Sequence, residues 1–251
     1  MIFLTVRGIL YPFLGTVLGS AFVLFARHTP TVRFMSVLDS LAAGIMCAAS
    51  FFSLILPAVN QGDAQGGFAK LSCSIGFFTG IVFFVLTDKL LKKYLSHKDV
   101  SGNKLFLAVS LHNIPEGMAV GVVYAGLLAG DSVIGTAGAL TLSLGIAMQN
   151  IPEGAIISLP LKARGKNTKT AFLCGTVSGV AELAAAVITL FLSGFIYTLL
   201  PFSLCFAAGA MFYVVLRELS VNFTDRKTAD VSLCFFAAGF VIMMLLDTYL
   251  G

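Results

Sequence analysis

Long apolar runs separated by short polar intervals occupy the chain from end to end. Runs near the ~20 residues that a membrane-crossing helix needs fall roughly at 3–26, 34–58, 71–91, 104–129, 133–160, 170–193, 198–219 and 230–250. The pattern predicts eight transmembrane helices and an all-α integral membrane protein. The first run lacks a basic start followed by a small-residue cleavage site, so it is expected to remain a helix and not to be a signal peptide. The intervals 92–104, which contains His97, and 60–67, which reads NQGDAQGG, carry turn chemistry and are expected to be loops. Nothing marks a soluble domain, so residues 1–251 read as a single membrane domain.

Composition strengthens this reading. Of 251 residues, 58% are hydrophobic and 11% charged, and the mean hydropathy is +0.96. Soluble domains carry about 25% charged residues, because they need a polar coat. A lipid bilayer is the expected surrounding. Basic residues alternate in step with the eight runs: fourteen of the sixteen lysines and arginines fall in or at the edges of the odd-numbered intervals, leaving only Arg7 and Lys70 for the other side. Basic loops stay cytoplasmic, so both termini are expected outside a multi-pass cell-membrane protein. The net charge of +4 then reports orientation, and nucleic acid is not an expected partner.

Two features are read as packing. The cysteines Cys47, Cys73, Cys174, Cys205 and Cys234 sit in apolar runs and are expected to be small buried hydrophobes without a disulfide framework. Small-residue stretches such as GTVLGS (15–20) and FAAGA (206–210) let helix backbones approach closely in lipid. Such faces on runs two, three and seven would suit a homodimer.

Polar chemistry is concentrated in a repeat. LHNIPEGMAV at 111–120 returns 37 residues later as MQNIPEGAII at 148–157. A carboxylate at the bilayer centre costs roughly 2.5–3.5 kcal/mol on insertion scales, and Glu116, Glu153 and Glu182 all fall inside apolar runs. No lysine or arginine lies deep in a run to neutralise them, which leaves protons or an external cation. His112 and Glu116 are i and i+4 and share a helix face, and Gln149 and Glu153 repeat that spacing. Asn113 and Asn150 follow at the flank of the same face. Pro115 and Pro152 remove a backbone donor each and kink their helices. A short turn near Asp131 makes the two motif helices antiparallel neighbours, so the motifs can face one another. Imidazole with carboxylate suits zinc, iron, manganese or cobalt. Two rival readings fare worse. A membrane metal hydrolase would need a second histidine to close a ligand triad, and an organic-substrate carrier leaves the duplicated His/Gln/Asn set without a purpose. The chain is therefore not expected to be an enzyme or to need an organic cofactor.

HNIPEG at 112–117 followed by QNIPEG at 149–154, in the fourth and fifth of eight runs, resembles the ZIP (Zrt-, Irt-like protein) family of divalent metal transporters, most of all its bacterial GufA-like branch. The resemblance extends over the whole chain and implies a ZIP-like bundle importing a divalent metal. Zinc is first among the candidates, with iron, manganese, cobalt and cadmium behind it. It also implies a binuclear centre, with His112, Glu116, Gln149 and Glu153 at one site. Asn113, Asn150 and Glu182 form the other, Glu116 and Glu153 being shared. Met46, Ala49 and Ser53 match positions lining the outer approach, and an elevator-like shift of runs one, four, five and six against two, three, seven and eight is implied. Asn150 stands where related members can have aspartate, and Arg217 and Asn222 replace acidic residues of the branch.

Overall fold

The computed structural model describes residues 1–26, 30–65, 67–96, 101–131, 134–192, 194, 199–222 and 226–251. His97 lies outside the described residues, as does the side chain of Asn222. Every described element is helical: α1 (Ile2–Phe25), α2 (Val32–Ala49), a π-helical segment (Ser50–Ile55), α3 (Leu56–Gln65), α4 (Gly67–Ser96), α5 (Ser101–Leu128), α6 (Thr136–Ala163), α7 (Thr168–Ser178), α8 (Val180–Phe191), α9 (Leu200–Asn222) and α10 (Arg226–Leu250). Among the described residues, each of the eight apolar runs is mainly helical. Among the described residues, six stretches are long and apolar enough to cross a membrane: Ile2–Phe25, Val32–Gln61, Leu71–Leu90, Thr168–Phe191, Leu200–Arg217 and Ala229–Leu250. The two motif helices are not among them. The 28 residues of α6 would reach about 42 Å at 1.5 Å per residue, but Gln149, Asn150 and Glu153 dilute its hydropathy.

Four local features depart from the expectations. The 60–67 interval is helical through Gln65, and helix also continues over 92–96 and from 101 onward. Lysine is a good helix former, so helices run past the ends of their apolar stretches. The sixth run is two helices, α7 and α8, meeting at Gly179. The second run widens into a π turn. Pro57, four residues after Ser53, has no N–H to offer the Ser53 carbonyl and crowds it with its ring, and a π turn relieves that contact. The cysteines also divide. Cys73 and Cys205 are buried, the Cys73 thiol donating to the Ala58 carbonyl at 3.5 Å, while Cys234 is exposed and so departs from the buried reading.

The helices pack chiefly in four pairs: α1 with α6, α5 with α8, α4 with α9 and α2 with α10. Glycine sets the approach in each. A Cβ at Gly15, Gly19, Gly44, Gly76, Gly80 or Gly239 would lie between 2.0 and 2.5 Å from a carbonyl oxygen of the partner helix. Backbones touch there, as close helix packing in lipid requires. The outer helices α4 and α10 present Phe78, Phe83, Leu90, Leu233 and Leu245 to the exterior. The middle of the bundle belongs to α5 and α6. Their connection turns at Gly130, whose φ of 77° favours glycine. Asp131 fastens that turn by accepting from the Ile134 amide at 3.3 Å and from the side-chain nitrogen of Gln61 on α3. At the other end of α6, Lys162 donates to the carbonyls of Val23 and Ala26 at 2.9 and 2.8 Å. A cation there satisfies the last carbonyls of α1 and opposes its dipole.

Candidate functional site

The motif on α5 works through two faces. Asn113 and Gly117 are i and i+4, so they share the face that meets α7 and α8. Asn113 Nδ2 donates to the Ser178 carbonyl at 3.1 Å. Ser178 is the last residue of α7, and terminal carbonyls lack intrahelical partners. A Cβ on Gly117 would sit 2.1 Å from the Glu182 carbonyl oxygen, so only glycine admits α8 at that depth. His112 and Glu116 occupy the neighbouring face. Glu116 is fully buried and His112 half-buried.

The motif on α6 repeats this arrangement against α1. Asn150 Nδ2 donates to the Pro12 carbonyl at 3.1 Å, and a Cβ on Gly154 would lie 2.3 Å from the Thr16 carbonyl oxygen. Its other face turns to α5, where Gln149 Nε2 donates to Glu116 Oε1 at 2.8 Å. The two motifs therefore meet face to face, as their antiparallel placement predicts.

Glu182 completes the centre from a third helix. The break at Gly179 puts Glu182 in the first turn of α8, where free N–H groups and the helix dipole favour a carboxylate. Asn150 Nδ2, already bonded to Pro12, also donates to Glu182 Oε2 at 2.7 Å. Glu182 and Glu153 lie within electrostatic reach of one another. The amide orientations follow from their partners. Each amide nitrogen faces an oxygen acceptor, and a flip would set oxygen against oxygen. This leaves Asn113 Oδ1, Gln149 Oε1, Asn150 Oδ1 and Glu182 Oε1 buried with no hydrogen-bond partner. Acceptor oxygens left this way are costly unless something electropositive joins them. Among the described residues, no three His, Cys, Asp or Glu side chains gather at metal-holding distances, so the polar centre depends on its amides as well as its carboxylates.

The outer-approach residues separate. Met46 and Ala49 are fully buried in the main core. Ser53, on the π turn, donates to Asp247 Oδ1 at 2.7 Å and lines a cavity of about 280 Å³ with Asp247, Phe52, Pro57, Val123 and Ile134. The sequence pattern does not single out Asp247. Its meeting with Ser53 spans 194 residues and had no local signal. The same holds for Pro12 and Thr16 of α1, and for Asp88, which accepts from Tyr213 at 2.9 Å and pairs with Arg217 at 3.5 Å. Arg217, a departure from the branch pattern, thus faces an acid supplied by α4.

An all-helical bundle with several membrane-spanning stretches and a polar centre closed inside it defines a polytopic membrane protein. The family model for the ZIP zinc transporter matches residues 98–247. The zinc transporter ZIPB of Bordetella bronchiseptica is 35% identical, the alignment covering 95% of this chain and 79% of that protein. The zinc transporter GufA of Myxococcus xanthus is 34% identical over 80% of this chain and 81% of its own. The human zinc transporter ZIP11 is 28% identical over 100% of this chain and 98% of its own. The chain belongs to the ZIP family, with GufA-like relatives, and is a divalent-metal transporter and not an enzyme.

Proposed function

We propose that the protein imports a divalent transition metal, zinc foremost, into the cytoplasm through the centre formed by α5, α6 and α8. The chain then crosses the cell membrane eight times with both termini outside. The observation that carries the site is the set of buried amide and carboxylate oxygens at Asn113, Gln149, Asn150 and Glu182 that have no donor. Each amide has spent its nitrogen on a carbonyl or a carboxylate, and a cation is the partner that suits what remains. The centre offers two half-sites. His112, Glu116, Gln149 and Glu153 supply the first, with one imidazole nitrogen among oxygens. Asn113, Asn150 and Glu182 supply the second, and Glu116 and Glu153 lie between them. Iron, manganese, cobalt and cadmium accept the first donor set as well.

The incoming metal reaches Ser53 and Asp247, sheds water, and passes the level closed by Met46 and Ala49 when the helices part. Binding compensates the buried carboxylates. The loaded centre then crosses the bilayer more cheaply than bare anions would, which favours movement with cargo over movement without it. The moving body is α1 with α5 to α8, sliding on α2, α4, α9 and α10 in an elevator-like step. The docking of both motifs onto α1, α7 and α8 supports treating those helices as one body. Radiolabelled zinc uptake into proteoliposomes tests the reading. Wild-type protein accumulates zinc, and Glu116→Ala and Glu153→Ala proteins inserted at equal density do not. Normal uptake by both variants would remove the site assignment.

A further inference from the structure

We propose that the second half-site holds a hard monovalent cation of the sodium class beside the transported metal, in place of a second divalent ion. The inference rests on the metal-transport reading of the centre. Its donors are Glu182 Oε1, Asn150 Oδ1 and Asn113 Oδ1, each partnerless on a side chain no more than 2% exposed. Asn150 is bonded directly to Glu182. Asn113 is bonded to Ser178, one helical turn before Glu182. The set contains one carboxylate oxygen and two neutral amide oxygens, with no nitrogen or sulfur. Hard cations take all-oxygen shells, while imidazole draws transition metals to the other half.

Charge decides the valence. The centre holds three carboxylates, Glu116, Glu153 and Glu182, all buried. One divalent ion on the shared pair Glu116 and Glu153 leaves a single negative charge on Glu182. A second divalent ion would leave a net positive charge enclosed in a low-dielectric interior, which is costly. A monovalent ion closes the balance. The residue that sets this is Asn150. An aspartate there would supply a fourth negative charge and make room for a second divalent ion. As an amide it instead commits its nitrogen to Pro12 and to Glu182 Oε2, leaving Glu182 Oε1 as the oxygen without a hydrogen bond. With both ions bound the three carboxylates are neutralised, and a neutral centre crosses the bilayer more cheaply than a charged one, so sodium speeds movement of the loaded centre.

The test uses purified protein and then the same protein in liposomes, at fixed pH and ionic strength, with sodium chloride exchanged for choline chloride. Wild-type protein is expected to bind about one zinc per chain, as a single set of ionised ligands allows. Sodium is expected to raise the initial rate of zinc uptake severalfold over choline, because the neutral centre is the one that crosses most cheaply. Asn150→Asp protein is expected to bind about two zinc ions per chain and to lose the sodium response in uptake. Two zinc ions per wild-type chain, or equal zinc uptake in sodium and choline, would overturn the inference. Both are wild-type measurements and decide the matter even if Asn150→Asp folds poorly. Zinc uptake absent in both media would instead defeat the transport reading.

Discussion

In the first copy of the motif, Asn113 donates to Ser178 and Gly117 admits the Glu182 carbonyl; in the second, Asn150 donates to Pro12 and Gly154 admits the Thr16 carbonyl. The same spacing thus docks α8 in one place and α1 in the other. Asparagine and glycine stand four residues apart and share one face of the helix. Histidine or glutamine and glutamate, also four apart, share the next. One face fixes a neighbouring backbone, and the other presents polar groups to the opposite copy. The copies differ where chemistry can differ. An imidazole in the first is an amide in the second, and Asn150 has an acceptor in Glu182. The repeat is therefore a frame reused twice, with its ligand face altered between uses.

Filling the glycines probes the frame most severely. Gly117→Ala and Gly154→Ala each drive a methyl group into a carbonyl oxygen at 2.1 or 2.3 Å. A backbone wall cannot rotate away, so the helices must part. Overpacking of this kind costs about 1–3 kcal/mol, and the upper part of that range is expected in denaturant-induced unfolding in mixed micelles. The two losses should be similar. If one variant were as stable as wild type, that copy would not be a docking element and the equivalence would fail.

Much of this frame was legible before the fold. Periodicity and length located the helices, and the i, i+4 spacing set Glu116 beside His112 and Glu153 beside Gln149. Their meeting across α5 and α6 followed from a short turn. The role of the asparagines was not legible, because their partners are backbone carbonyls 65 and 138 residues away. A carbonyl has no sequence signature. Pro12 was one proline in an apolar run, and the break at Gly179 that frees the Ser178 carbonyl and places Glu182 in a first helical turn looked like ordinary small-residue sequence. The turn residues of 60–65 misled for a related reason. Gln61 is held by Asp131, 70 residues away, a contact that local propensity does not register.

The ligand faces should separate under substitution more gently than the glycines. His112→Ala removes the one nitrogen donor of the first half-site and is expected to weaken zinc binding by about 10–100-fold, the range for losing support around a bound metal. Gln149→Ala removes a neutral amide whose nitrogen holds Glu116. A smaller loss of about tenfold is expected there. Gln149→His would make the two copies alike and should recover or exceed wild-type affinity. Competition between zinc and manganese in equilibrium binding reads the change directly, because a second imidazole favours zinc more than manganese. Equal losses for His112→Ala and Gln149→Ala would show that the copies contribute alike despite their chemistry.

Asn113→Ala offers the smallest and most discriminating change. Deleting the amide leaves the Ser178 carbonyl without its donor, and a lost hydrogen bond of this sort costs about 1 kcal/mol. The same deletion removes Asn113 Oδ1, one of the two amide oxygens assigned to the monovalent ion, but no donor of the first half-site. Stability should therefore fall slightly and the sodium dependence of uptake should weaken, while zinc stoichiometry stays as in wild type. Asn113→Asp separates the two roles further. It supplies an oxygen and a fourth negative charge but no N–H to Ser178, so it should lose the dock while admitting a second zinc ion, as Asn150→Asp does. Were Asn113→Ala to lower zinc stoichiometry as well, the asparagine of the first copy would belong to the ligand face, and the division of the motif into docking and ligand faces would not hold.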